Sequence, residues 1–342
     1  MENILDENFA FPEPIELNEH RDVDRPGLKC EIKTYEARFN AKGERVTLHV
    51  GSRRDLNIPR GRDHDSALVL TRYYDKEREL ERTELEVQSP YIKAALRDVI
   101  KKYPSVNMDS KELIITDLPK CLFHYRLELQ SYRDTLHDQT AADHVDFALR
   151  YMEQVLQIQI WNWFNFVDAD AFGLGERDQP NLEAGLEFPD LWMAFRPGSL
   201  VYAKRDGAEK ILRLKSMTRC TCVKPHCFRK KWTIIAEQII YDGDTFGYEP
   251  LWFYVHPYEG HIPFKNLGIF PLQYHPSKDD VMRELRERGK KYVSLRGVVH
   301  QDYEGIAEGL SMFRMTSFVG EEDFFPLQST MVKLISLSQY FN

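Results

Sequence analysis

The stretch Leu191–Arg219, LWMAFRPGSLVYAKRDGAEKILRLKSMTR, decides how the chain is divided. It opens on an apolar cluster, Leu191, Trp192, Met193 and Phe195, and Pro197-Gly198 then turns the chain. Ser199 to Lys204 is rich in β-formers, and Arg205-Asp206-Gly207 is a tight-turn signal. Ala208 to Lys215 alternates, with Ile211 off the pattern set by Leu212 and Leu214. The pattern predicts a hairpin behind an aromatic plug. Trp192 and Phe195 are expected in the core.

Before this stretch the signals are mixed. Cys30 to Phe39 and Arg45 to Val50 alternate around a turn glycine and predict a hairpin. Gly51 to Asp65 is a basic loop, Ala67 to Tyr73 a buried strand, and Thr83 to Gln88 its partner. Ser89-Pro90 starts a helix, because serine caps free backbone N–H groups and proline at the first helical position loses no needed donor. Ile92, Ala95, Leu96, Val99 and Ile100 form that helix's buried stripe. Cys121 to Tyr132 predicts a second helix, in which His124 beside Phe123 and Tyr125 reads as a packed residue rather than a catalyst. Val145, Leu149, Met152, Leu156, Ile160 and Trp163 predict one long core helix over Ala142 to Trp163.

After it, Trp232 to Tyr241 and Leu251 to His256 read as strands around an Asp242-Gly243-Asp244 turn. Ser277 caps a helix that is expected to end at Gly289, followed by a strand at Tyr292 to Leu295. The fold class expected is α+β, with a β-rich C-terminal part of antiparallel hairpins packed with an N-terminal part of hairpins and helices. The organisation expected is a mobile acidic arm over 1–28, an N-terminal α+β part over 29–165, a loop or linker over 166–189, a β-rich part over 190–305 and a divergent tail over 306–342.

The totals limit the function. Of 342 residues, 42% are hydrophobic and 12% aromatic, enough for a sizeable core and against wholesale disorder. A net charge of −8 argues against a generally nucleic-acid-binding surface but leaves room for a local basic patch. The odd count of five cysteines, the size of the chain and an N-terminus without an apolar signal stretch favour a reducing, intracellular compartment, cytoplasmic or nuclear. No run approaches a membrane span, so no membrane association is expected.

Six stretches carry a resemblance. They are EVQSPYIKAALRDVIKKYPSVN from Glu86, LFHYRLELQSY from Leu122, LWMAFRPGSLVYAK from Leu191, WTIIAEQIIYDGDTFGY from Trp232, IFPLQYHP from Ile269 and LRERGKKYVSL from Leu285. In this order they resemble the N-terminal domain of unknown function that precedes the ATPase module in fungal AAA-type ATPase-like proteins. The resemblance implies a non-catalytic interaction or regulatory region with protein partners. Relatives that carry the module hydrolyse ATP with a phosphate loop and Mg²⁺. The motif G-x-x-x-x-G-K-[ST] is absent here, and Gly289-Lys290 is followed by Lys291 and Tyr292. No ATPase residue carries over, so ATP and Mg²⁺ enter only if such a module is present elsewhere. Beyond Ala307 the sequence departs from the family, which reads as truncation, alternative splicing or a short family member.

Two clusters offer chemistry of their own. Cys220, Cys222, His226 and Cys227 are ligand types suited to zinc, although C-x-C-x4-C is not the common two-plus-two knuckle and His226 adjoins Cys227. Cys30 or Cys121 could supply a further ligand, and thiols in a loop joining two strands are the alternative. The basic stretch Arg283, Arg286, Arg288, Lys290, Lys291 and Arg296 could meet an anion or an acidic partner, but Glu284 and Glu287 dilute it. A zinc- or nucleic-acid-binding module built on these clusters is the alternative function, and nucleic acid is otherwise not an expected partner. No triad or paired-carboxylate arrangement stands out, so the reading leans away from an enzyme. A zinc site at the cysteines predicts about one zinc per chain under reducing conditions. Elemental analysis checks this, and a metal-free protein refutes it.

Overall fold

The computed structural model describes residues 27–50, 65–167, 183–205, 207–219, 231–242 and 244–294. The chain is mixed α+β and divides into two compact units. One comprises Met1–Pro197 with Tyr258–Pro263, the other Gly198–Pro257 with Phe264–Asn342. The boundary therefore cuts the Leu191–Arg219 stretch at its Pro-Gly turn. The aromatic plug belongs to the first unit and the hairpin to the second.

The first unit is built on a five-stranded sheet of β1 (Lys29–Phe39), β2 (Arg45–His49), β3 (Ser66–Tyr74), β4 (Leu80–Val87) and β5 (Leu113–Thr116), in the order β2-β1-β3-β4-β5. β1 and β3 run parallel and the other pairs antiparallel. Residues 66–70 of the central β3 are all buried, as a strand covered on both faces requires. Five helices join the sheet: α1 (Pro90–Val99), α2 (Lys120–His124), α3 (Arg126–Thr135), α4 (Gln139–Val155) and α5 (Gln157–Phe166).

The start of α1 follows from its sequence. Ser89 Oγ accepts the Ile92 N–H at 3.2 Å, Pro90 takes the first turn, and Ile92, Ala95 and Leu96 are buried. Gly27 is required beside it. Its φ is +80°, and a Cβ there would lie 2.4 Å from the Gln88 carbonyl carbon.

Two helices expected to be continuous are broken. The segment around His124 splits into α2 and α3 at Tyr125, with φ −115° and ψ 18°. The long apolar stripe splits into α4 and α5 at Leu156, with φ −101° and ψ 20°. The stripe residues Val145, Leu149, Met152, Leu156, Ile160 and Trp163 are nevertheless all buried. Apolar spacing specifies which side chains go inward, and it tolerates one non-helical residue at a buried joint.

The plug residues lie in or just after the 3-10 helix Phe188–Met193, with Trp192 and Phe195 only 2% and 1% exposed. Just before it, β6 (Gly185–Glu187) pairs antiparallel with the later segment His261–Pro263, β11. A Cβ on Gly185 would lie 2.2 Å from the Ile262 carbonyl oxygen, so the pair closes only on glycine.

The second unit is a five-stranded antiparallel sheet of β7 (Leu200–Arg205), β8 (Ala208–Arg219), β9 (Trp232–Tyr241), β10 (Phe246–Val255) and β12 (Ile269–Pro271), in the order β10-β9-β8-β7-β12. The expected hairpin is β7–β8. The pairing of β8 with β9 shifts between Leu214 and Ser216, a bulge at Lys215.

Helix α6 (Lys278–Ser294) begins one residue after Ser277 and runs through Gly289. Residues 292–294, expected to begin a strand, are therefore helical. A glycine inside a helix costs only about 1 kcal/mol. Here Tyr292 offsets that cost, because its hydroxyl accepts the Tyr241 N–H at 3.0 Å and its ring meets Phe246 at 6.2 Å.

Replacing Ser89 by Ala removes the α1 cap and leaves a buried imidazole nitrogen without its donor. The expected loss is about 2–4 kcal/mol, the sum of a cap and an unsatisfied buried group. Urea denaturation of S89A checks it, and a loss below about 0.5 kcal/mol would refute the role.

Candidate functional site

Two histidines pair with hydroxyl groups in the first unit, the arrangement that a search for catalysts looks for first. His144, on α4, lies 2.8 Å from Ser89 Oγ through Nδ1 and 3.2 Å from the Leu28 carbonyl through Nε2. A carbonyl only accepts, so Nε2 carries the proton and the serine hydroxyl donates to Nδ1. Ser89 is 0% exposed and also caps α1, so no substrate carbonyl can reach its oxygen.

His124 is tied in the same way. Tyr103 donates to its Nδ1 at 2.8 Å and Nε2–H donates to the Trp192 carbonyl at 2.9 Å. Burial holds the His124 imidazole neutral, down to about 3 from its ordinary 6.5, and pushes the Tyr103 phenol up. Burial also lowers His144. Both rings are structural ties, consistent with His124 read as packed.

The cysteine cluster Cys220, Cys222, His226 and Cys227 lies outside the described residues, as does Arg296. Cys30 and Cys121 are free thiols, the first exposed and the second buried. Burial pushes the Cys121 thiol up to about 12, so it stays protonated and inert. Among the described residues no group of three or more His, Cys, Asp or Glu could hold a metal ion.

The remaining basic residues sit on α6, where several are already engaged. Arg283 pairs with Asp280 at 2.5 Å and Lys290 with Glu287 at 2.6 Å, while Arg288 donates to the Glu209 carbonyl at 2.7 Å. Arg286 and Lys291 lie on the same helix.

A surface that the sequence did not reveal lies on β8, β9 and β10. Trp232, Ile234 and Ala236 of β9 are buried, so the alternate residues form the opposite face. On that face the register pairs Ile239 with Tyr248, Glu237 with Pro250, Ile235 with Trp252 and Thr233 with Tyr254. Tyr248, Trp252 and Tyr254 are 56%, 52% and 50% exposed, and Ile239 is 59% exposed. Cations stand against the rings. The Arg213 guanidinium lies 4.1 Å from the Tyr248 ring and Lys231 Nζ 3.5 Å from the Tyr254 ring. Glu237 accepts Arg213 at 2.7 Å and Lys215 at 3.0 Å, and the Arg213 bond, with that of Lys215, holds its carboxyl below the usual range. Two of these cations thus share one carboxylate, and Lys231 stands over the Tyr254 ring.

The signal was present as alternation from Phe246 onward, in FGYEPLWFYV. Pro250 interrupts it, and a strand read only from Leu251 leaves Tyr248 out of the stripe.

A cation–aromatic cluster in the first unit makes a useful contrast. Arg45 pairs with Glu81 at 2.6 Å and Arg82 with Glu84 at 3.0 Å, around a Tyr73 ring that is buried, and Arg38, over the neighbouring Tyr74 ring, pairs with Glu36. There each arginine has a glutamate. On the second sheet the rings are half exposed and the cations are in excess.

Residues 178–276 match the model of a domain of unknown function (DUF7025). The match spans the plug, the hairpin and the strands that carry the aromatic face, and nothing in it connects the domain to AAA ATPases. No curated protein and no solved structure matches the chain. No described helix is long and apolar enough to cross a membrane.

The pH dependence of stability follows from His124. Below pH 6.5 the unfolded chain takes up a proton that the folded chain refuses until about pH 3. Stability conferred by the neutral ring is therefore complete above pH 6.5 and declines as pH falls, by at most about 1.4 kcal/mol per unit. His124→Gln keeps an acceptor for Tyr103 and a donor for the Trp192 carbonyl and cannot titrate. Its urea midpoint is expected to fall less steeply than the parent's between pH 6.5 and 4, and parallel profiles would refute the assignment.

Proposed function

We propose that this chain is a non-catalytic interaction or regulatory region whose working surface is the outer face of β8–β10. The observation that carries the reading is the half-exposed stripe Tyr248, Trp252 and Tyr254. Large aromatic rings contribute most to stability when buried, and leaving three on one face sacrifices that contribution unless a partner covers them. Flanking cations add direction and selectivity.

The internal chemistry supports the same reading. The two His–hydroxyl pairs are sealed and fully engaged in holding the fold. The resemblance to the region that precedes the ATPase module in fungal AAA-type proteins fits a presenting or regulating role. In a longer protein this face would supply partners to the ATPase, and in this chain it would bind them without turnover.

A photoreactive phenylalanine analogue placed at Trp252 in the full chain tests the surface. It is expected to form discrete covalent adducts in cells, whereas the same group at Leu127, an equally exposed apolar position on α3, forms none. Equal labelling at both positions would refute the surface. ATP turnover is expected to stay at background, and Mg²⁺-dependent hydrolysis would refute the non-catalytic assignment.

A further inference from the structure

We infer that the ligand of this face is single-stranded RNA, an inference that rests on the binding-surface reading above. Three observations converge on it. The first is the stacking surface. Trp252 and Tyr254 are two residues apart, about 7 Å along the strand, a spacing that lets neighbouring bases of an extended strand each reach a ring. Stacking of bases on exposed aromatics of a β-sheet is a general mode of single-strand recognition, because every base has a π-face.

The second is charge. Arg213 and Lys215 share the Glu237 carboxylate and Lys231 stands over the Tyr254 ring, so these four charged side chains carry a local excess of two positive charges. The chain as a whole carries a net charge of −8. A concentration of cations against an acidic background selects a polyanion over a neutral or basic partner.

The third concerns the edge. β10 is the terminal strand of its sheet, where a peptide could in principle add as a further strand. Pro250 lies in the middle of β10, and a proline at a sheet edge takes a donor from the ladder that an added peptide needs. The edge is blunted while the face stays open, which favours a ligand that stacks over one that extends the sheet. RNA is the nucleic acid chosen because its loops and ends present unpaired bases, whereas DNA at rest holds them within a duplex.

Fluorescence anisotropy of the full chain with a fluorescein-labelled oligouridylate of about twelve nucleotides tests this. Binding is expected to weaken with salt, with a log–log slope of about −2 for three cations. Trp252→Ala and Tyr254→Ala should each weaken binding by about 10-fold without changing that slope. Trp252→Phe should retain most of the affinity, and Lys231→Gln should reduce the slope by about 0.7, the share of one cation on a single strand. Exposure of these side chains leaves the fold intact, which thermal melting of each variant verifies.

Absence of binding, equal binding of a duplex of the same length, tighter binding of the matching DNA strand, or indifference to both aromatic substitutions would each overturn the inference. Nuclease treatment of the Trp252 adducts separates the two readings. Adducts that survive as protein–protein species overturn RNA and leave the interaction surface standing. Absence of both adducts and RNA binding overturns both.

Discussion

A neutral imidazole with both nitrogens engaged is the constraint on which the first unit depends. His144 reaches from α4 to the backbone just before β1 and to the residue that caps α1. Gln88 and Ser89 N–H groups both donate to the Ala67 carbonyl, which brings β3 into the same junction. Three elements therefore meet at one ring, and β3 joins them through the backbone of Ser89. His124 does the same between Tyr103 and the Trp192 carbonyl. In each case the ring is a two-ended connector that must remain uncharged, since protonation would set an N–H against the serine or tyrosine hydroxyl that now donates to it. The chemistry that would make a Ser–His pair a catalyst is used here to fasten the start of a helix.

How much of this was legible in the sequence depended on the range of the signal. Ser89-Pro90 declared the start of α1 because capping is decided within four residues. The buried stripe of α4 and α5 and the β7–β8 hairpin were likewise local. The parallel pairing of β1 with β3 was not, because alternation says which face a residue takes and nothing about its neighbour strand. Gly289 misled because a helix-stop signal presumes nothing beyond it to hold the helix. Tyr292 lies beyond it and is anchored to Tyr241. His144 went unnoticed since its partners Leu28 and Ser89 are distant in sequence.

The candidate surface was hidden by averaging. A net charge of −8 describes the whole chain, whereas a ligand meets one face, and Arg213, Lys215 and Lys231 are outweighed in that total by acidic residues elsewhere. Pro250 concealed the aromatic alternation for a related reason. It reads as a break in a strand, and in the sheet it is an edge residue within a continuous one. The cysteines and histidine at 220–227 directly follow β8, so the sequence feature with the sharpest metal chemistry joins the strand that carries Arg213 and Lys215.

Pro250 has a second consequence, for self-association. A ten-residue terminal strand bearing Tyr248, Trp252 and Tyr254 combines high β-propensity with apolar surface, the composition that lets identical chains stack edge to edge into fibrils. One missing N–H in the middle of that strand interrupts any such stack after a few residues. The edge beside the aromatic face is thus a poor template for a second copy of the chain.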